Sequence, residues 1–177
     1  MRMSDSRTES IIYREASVTD CPAVARVHVR SWRESFAGIV PQSFLDKMAV
    51  DQRAEAFASR FAEAAYRMFV AEVLGEGIVG FADGGEPRDE VAGYEAELYA
   101  IYLLPEYQGK GVGRKLFQQV IESLVRSGQR SVYLLALEVS PYRSFYDKLG
   151  GKVIERRQKE IEGERFHVVV YGWERIG

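Results

Sequence analysis

Three alternating glycines, in Gln108-Gly-Lys-Gly-Val-Gly113, stand between a long extended run and the most regular amphipathic stretch of the chain. Upstream, Tyr94-Glu-Ala-Glu-Leu-Tyr-Ala-Ile-Tyr-Leu-Leu104 reads as a strand stopped by Pro105. Downstream, Val112, Leu116, Val120 and Leu124 form one helical stripe flanked by Phe117, Ile121 and Val125, and Gly128 closes the helix. Glycines at such a junction let the backbone approach a ligand without side-chain obstruction. The helix start aims free N–H groups and a partial positive charge at an anion, and Lys110 and Arg114 add charge beside it. The glycines alone are also compatible with a plain connecting turn.

Two phosphate-binding patterns drop out. Leu104, not glycine, stands five residues before Gly109, and Lys110 is followed by Gly111 instead of Ser or Thr, so no Walker loop is present. A dinucleotide fingerprint would need glycine where Arg114 stands.

The rest of the pattern describes an α/β chain. Ile11–Ala16 reads as a first strand, with Asp20 as helix N-cap and Pro22 in the first turn of a helix running to about Phe36. Phe44–Met48 and Asp51–Ala65 continue helical. Arg67–Val73 and Ile78–Asp83 form a hairpin around Gly75 and Gly77. After the glycine turn and its helix come a strand over Ser131–Leu137, a short helix over Pro141–Leu149, and strands at Lys152–Arg156 and Arg165–Trp173. Strict alternation along the fourth strand puts Glu95, Glu97, Tyr99, Ile101 and Leu103 on one face.

A length of 177 residues, with 46% hydrophobic and 28% charged residues, suits one domain with one core, residues 11–177, behind a polar, flexible start over residues 1–10. Lys plus Arg (24) nearly balance Asp plus Glu (26), which argues against a general nucleic-acid binder. No apolar run is long enough for a membrane span, the start lacks a secretory signal, and Cys21 alone forms no internal disulfide. A cytoplasmic protein is expected. His28 and His167 are too isolated to suggest a metal, and none is expected.

On the glycine turn the sequence resembles the GCN5-related N-acetyltransferases, whose signature is Gln or Arg, two residues, Gly, one residue, then Gly or Ala. Here it reads Gln108-Gly-Lys-Gly111-Val-Gly113, and the likeness extends through Leu98–Tyr107, Arg114–Phe117, Arg143–Gly151 and Ser31–Pro41. It implies a single domain with a mixed sheet of about seven strands and about four helices, its fourth and fifth strands splayed. It further implies acetyl-coenzyme A in the opening, as co-substrate. The backbone of Ile101, Tyr102 and Leu103 would pair with the pantetheine arm, and Gln108, Gly109, Lys110, Gly111, Val112, Gly113 and Arg114 would hold the phosphates.

The same resemblance implies acetyl transfer to a primary amine by direct attack in a ternary complex. Tyr146 matches the usual proton donor and Glu97 a strand carboxylate that accepts the amine proton, with Glu95 and Glu138 as rivals. Trp32 and Phe36 would border the acceptor pocket. Ser140 stands where this branch often has Asn, a cofactor contact with longer reach. The acceptor, a small molecule or peptide amine, is left open, and a homodimer is an option. The competing reading is a non-catalytic acyl-coenzyme A sensor.

Overall fold

A computed structural model describes residues 10–177; the start expected to be flexible, 1–10, lies outside these residues except for Ser10. Seven strands make one sheet in the order β1-β2-β3-β4-β5-β7-β6. They are β1 (Ile11–Glu15), β2 (Arg67–Val73), β3 (Gly77–Gly85), β4 (Ala96–Leu103), β5 (Val132–Leu137), β6 (Lys152–Ile161) and β7 (Glu164–Trp173). Five helices accompany them: α1 (Cys21–Ser35), α2 (Gln42–Asp46), α3 (Val50–Arg60), α4 (Val112–Arg126) and α5 (Arg143–Lys148). This is the expected mixed α/β fold, with the helical region after α1 divided in two.

Every neighbouring pair in the sheet is antiparallel except β4 with β5, which is parallel. That pairing lasts only two rungs, Ala96 with Val132 and Glu97 with Tyr133. Beyond Glu97 the strands part, and β4 keeps its other edge on β3 while β5 keeps its other edge on β7.

A bulge explains the divergence. Asp83 pairs with Ala100 and Gly84 with Leu98, so Tyr99 has no partner on β3. The extra residue bends and twists the strand locally. It also resets the alternation: Glu97 reaches the side of Tyr99 and Tyr102, which pack with the α1–α3 cluster, whereas Leu98, Ile101 and Leu103 pack with α4. The expected single face for Glu97, Tyr99, Ile101 and Leu103 is therefore divided.

The α4 stripe read from the sequence forms the largest apolar cluster, in which Leu116 and Val120 are wholly buried against Ala82, Leu98 and Leu134. On the opposite face, Val24, Ala25 and Phe57 of α1 and α3 cover Val70 and Phe81. Burial of each such side chain contributes roughly 1.5–3 kcal/mol. Asp20 precedes α1 but does not cap it by its side chain. Its carboxylate accepts the Ser17 N–H at 2.8 Å and two bonds from Arg14, at 2.8 and 2.9 Å, which ties the end of β1 to the start of α1.

Candidate active site

The parting of β4 from β5 opens a cleft of about 490 Å³. Its β4 wall is Ile101, Tyr102 and Leu103, its floor includes Gly109, Gly111 and Gly113, and α5 supplies Phe145, Tyr146 and Lys148 opposite.

Register decides which peptide groups of β4 are available. Tyr102 pairs with Phe81, and the Leu104 N–H donates to the Val79 carbonyl at 2.8 Å. Antiparallel residues alternate between bonding and non-bonding pairs, so the peptides of Tyr102 and Leu104 face β3 while those of Ile101 and Leu103 face the cleft. Ser31 Oγ and Gln108 Nε2 already donate to the Leu103 carbonyl, at 3.0 and 3.2 Å. The Ile101 N–H and C=O and the Leu103 N–H form the free edge. Of the three backbones expected to bind a ligand, two point toward it.

The glycine turn takes up backbone conformations that side chains resist. Gly109 and Gly111 have φ of 70° and 84°, and Gly111 is the N-cap of α4 with no side-chain cap. The first N–H groups of a fifteen-residue helix thus open toward the cleft. Gly113 has a different reason: a Cβ there would meet Phe145 Cζ at 3.0 Å. Arg114 and Lys148 place cations on the rim, and Arg114 also donates to the Lys148 carbonyl at 3.4 Å. The side chain of Val112 is buried in the core, so only its backbone belongs to the turn, while Lys110 is exposed outside the cleft wall.

Tyr146 lies in that wall, 8% exposed, between the rings of Phe145 and Tyr171. Burial raises its pKa, and no hydrogen bond contributes to the shift. Its protonated phenol is held in the cleft with no hydrogen-bond partner among the described residues. Tyr142, which sequence reasoning missed, also lines the cleft; its hydroxyl pairs closely with Ser35 Oγ and accepts from Gln108 Nε2 at 3.2 Å. Ser140 is not part of the wall. Its hydroxyl accepts the Tyr142 N–H at 3.2 Å, shaping the turn that presents that tyrosine. Only the Ser-x-Tyr spacing hinted at this turn.

The remaining candidates lie elsewhere. Glu97 is wholly buried and outside the cleft lining. Its Oε1 accepts from Arg88 Nη2 and Nε at 2.6 and 3.1 Å, its Oε2 from the Arg88 N–H at 2.7 Å, and the Tyr133 hydroxyl stands 3.0 Å from Oε2. A carboxylate so engaged has no free lone pair aimed at an amine. Glu95 is exposed and accepts the Arg130 N–H, and Glu138 pairs with Arg156. Trp32 and Phe36 stack at 4.3 Å, and Trp32 reaches the Tyr102 ring at 6.3 Å, so they stand behind the β4 wall. Cys21 is buried in the α1–α3 cluster and Asp83 is fully buried on β3. Among the described residues no group of three His, Cys, Asp or Glu is arranged to hold a metal, and no helix is long and apolar enough to cross a membrane.

A splayed parallel pair with an uncapped helix start at its mouth is the architecture the glycine signature implied. The sequence model of the Acetyltransferase (GNAT) family matches residues 28–151. The chain belongs to the GNAT acetyltransferase family. An uncharacterized N-acetyltransferase of Bacillus subtilis, YuaI, is 34% identical over 163 residues, 92% of each chain. Among solved structures, the fold resembles a Salmonella typhimurium putative acetyltransferase, yncA, bound to acetyl-CoA, with a TM-score of 0.72, 21% identity and 94% of both chains covered. It also resembles the PaiA N-acetyltransferase of Thermoplasma acidophilum in complex with coenzyme A, with a TM-score of 0.68, 23% identity, and 90% and 98% covered. The GNAT match contains the whole cleft, from Ser31 on α1 to Lys148 on α5.

Proposed function

We propose that this GNAT protein transfers an acetyl group from acetyl-coenzyme A to a primary amine held in the same cleft, by direct attack in a ternary complex. The observation that carries the reading is the free edge of Ile101 and Leu103 running into the uncapped start of α4. An extended amide-bearing arm fits the first, and a pyrophosphate fits the second. The co-substrate supplies an activated thioester; every other requirement falls on the chain.

Ile101 and Leu103 orient the arm by backbone hydrogen bonds. The N–H groups at the start of α4, with Arg114 and Lys148 at the rim, offset the phosphate charge. One cleft-facing N–H also polarises the thioester carbonyl as negative charge develops there. Tyr146 donates its proton to the departing sulfur, a role supported by its buried, protonated hydroxyl, which has no hydrogen-bond partner among the described residues. Glu97, engaged on both oxygens, holds the junction of β4 and β5 instead of taking the amine proton, which passes to water in the cleft and from there restores the Tyr146 phenol. Tyr146 gives the catalytic reading its advantage over a sensor that only binds acyl-coenzyme A.

Calorimetric titration with acetyl-coenzyme A, followed by thiol release over pooled amines, tests the proposal. Saturable binding with amine-dependent release supports it. Binding without release by any amine replaces it with the sensor, and absence of binding removes both readings.

A further inference from the structure

The sheet alone does not fix the width of the cleft at its open end, because β4 and β5 pair at two rungs beside Glu97 and then part. The short helix α5 is anchored to the far half of the sheet. Arg143 Nε donates to the hydroxyl of Tyr171 on β7 at 3.1 Å, and Nε1 of Trp173, also on β7, donates to the carbonyl of Leu149, the C-cap of α5, at 3.0 Å. Arg114 on α4 reaches the Lys148 carbonyl at 3.4 Å. Ile101 and Leu103, which receive the arm, therefore belong to one half of the sheet and Tyr146 to the other. The Tyr146 hydroxyl has no hydrogen-bond partner among the described residues, so its direction follows from where α5 sits.

A ring of hydrogen bonds joins the two halves. Ser31 Oγ on α1 donates to the Leu103 carbonyl at 3.0 Å. Gln108 Nε2 directs its two N–H groups at that carbonyl and at the Tyr142 hydroxyl oxygen, each at 3.2 Å. The Tyr142 hydroxyl in turn pairs closely with Ser35 Oγ, one helical turn after Ser31. The ring thus links α1, the end of β4, the start of the glycine turn and Tyr142, the N-cap of α5. Tyr142 and Tyr146 stand one turn apart and both line the cleft, whereas Ser35 does not. Glu97 closes the splay at its apex, and this ring spans its mouth.

We propose that Tyr142 is a positioning residue for the proton donor: its hydroxyl, held by Gln108 and Ser35, sets α5 against β4 so that the Tyr146 phenol meets the sulfur of the arm. This rests on the transferase reading and adds a residue that acts through Tyr146. Tyr142 itself transfers no proton. Without its hydroxyl, α5 follows β7, and the phenol loses its alignment with an arm held by β4. Misplacement of a catalytic group by about 1 Å can slow a reaction by about 10².

The test has a turnover arm and a binding arm. Tyr142→Phe keeps the aromatic ring, and Ser35→Ala breaks the same chain of bonds from outside the cleft. Each should lower kcat by about tenfold with KM for acetyl-coenzyme A within about twofold, and Ser35→Thr, which keeps a hydroxyl, should retain the rate. In a Tyr146→Phe background neither should lower kcat further, since no phenol is left to aim. A Tyr142→Phe effect that multiplies with that of Tyr146→Phe overturns the proposal, because Tyr142 would then act on its own. Wild-type kcat in Ser35→Ala overturns it too, as does full activity in Tyr146→Phe.

The binding arm needs no turnover. With tyrosines labelled with carbon-13 at Cζ and the Tyr146 resonance assigned from Tyr146→Phe, saturation with coenzyme A should shift that resonance as the thiol arrives beside the phenol. In Tyr142→Phe and Ser35→Ala the shift should be largely lost while the Kd for coenzyme A stays within about twofold. A silent Tyr146 in the wild type, or an unchanged shift in the variants, overturns the positioning role and leaves the transferase standing if amines still release thiol. A shift lost in both variants, without thiol release from any amine, supports the positioning of Tyr146 and removes the transferase.

Discussion

The hydroxyl of Tyr133 stands 3.0 Å from Oε2 of Glu97, across the last rung that joins β4 to β5. The same hydroxyl lies 2.7 Å from the Asp89 carbonyl and shares its one proton between the two acceptors. With Arg88 on the other carboxylate oxygen, this contact clamps the point from which the cleft opens. Glu97→Gln keeps the size but removes the charge. Because Arg88 is 44% exposed and can regain water, the loss should be about 2 kcal/mol, below that of a fully buried pair. Thermal melting should fall by roughly 6 °C. Turnover should keep its pH profile; disappearance of the acidic limb with the melting temperature unchanged would mean Glu97 takes the amine proton after all.

Tyr146→Phe removes only an oxygen from a packed ring. Turnover should drop by about 10² or more if the phenol protonates the leaving thiolate, while acetyl-coenzyme A affinity measured by calorimetry stays within about twofold. Since burial raises the pKa of Tyr146, the wild-type enzyme should not lose activity through this group below the ordinary tyrosine range near pH 10. Full activity in the variant sinks the acid assignment and leaves Tyr142, the other cleft tyrosine, to be tested.

Gly113→Leu places a side chain where Phe145 Cζ lies 3.0 Å from an added Cβ. The Phe145 ring must shift, and it forms part of the cleft wall. Overpacking costs about 1–3 kcal/mol, which a domain of this size should survive. The expected result is a folded protein by circular dichroism without measurable acetyl-coenzyme A binding. Retained binding would place the co-substrate elsewhere.

Asp83 is fully buried, and desolvation lifts its pKa to about 6 despite the Tyr66 hydroxyl and Arg60. A carboxyl whose folded pKa exceeds its unfolded value of 3.8 binds its proton more tightly in the folded state. Stability therefore falls as pH rises from about 4 to 6, and the loss is complete above that window, on the order of 3 kcal/mol. Asp83→Asn, which still accepts from Tyr66, should flatten this part of the stability curve in urea denaturation and be the more stable protein at pH 7. An unchanged slope between pH 4 and 6 would show that Asp83 is ionised throughout.

The glycine turn was legible because its signal is local: φ above zero at Gly109 and Gly111 depends on residues within one turn, and the α4 stripe on a period of 3.6. The hairpin of β2 and β3 was legible for the same reason. The Tyr99 bulge was not, because an unpaired residue exists only relative to a partner strand. Without it, alternation carried Glu97 onto the face of Ile101 and Leu103, and so toward the cleft. Tyr142 escaped notice because its position depends on Ser35 and Gln108, distant in sequence.

The amino-acid order by itself determined the element types, the glycine-rich helix start and the family signature, since these follow from backbone freedom and short-range periodicity. Only the tertiary structure decided that β4 offers Ile101 and Leu103 to the cleft and that Glu97 is held by Arg88 and Tyr133. Those outcomes depend on register, on a bulge and on how charges from separate elements pair once water is removed. None of these quantities is defined for a stretch of chain taken alone.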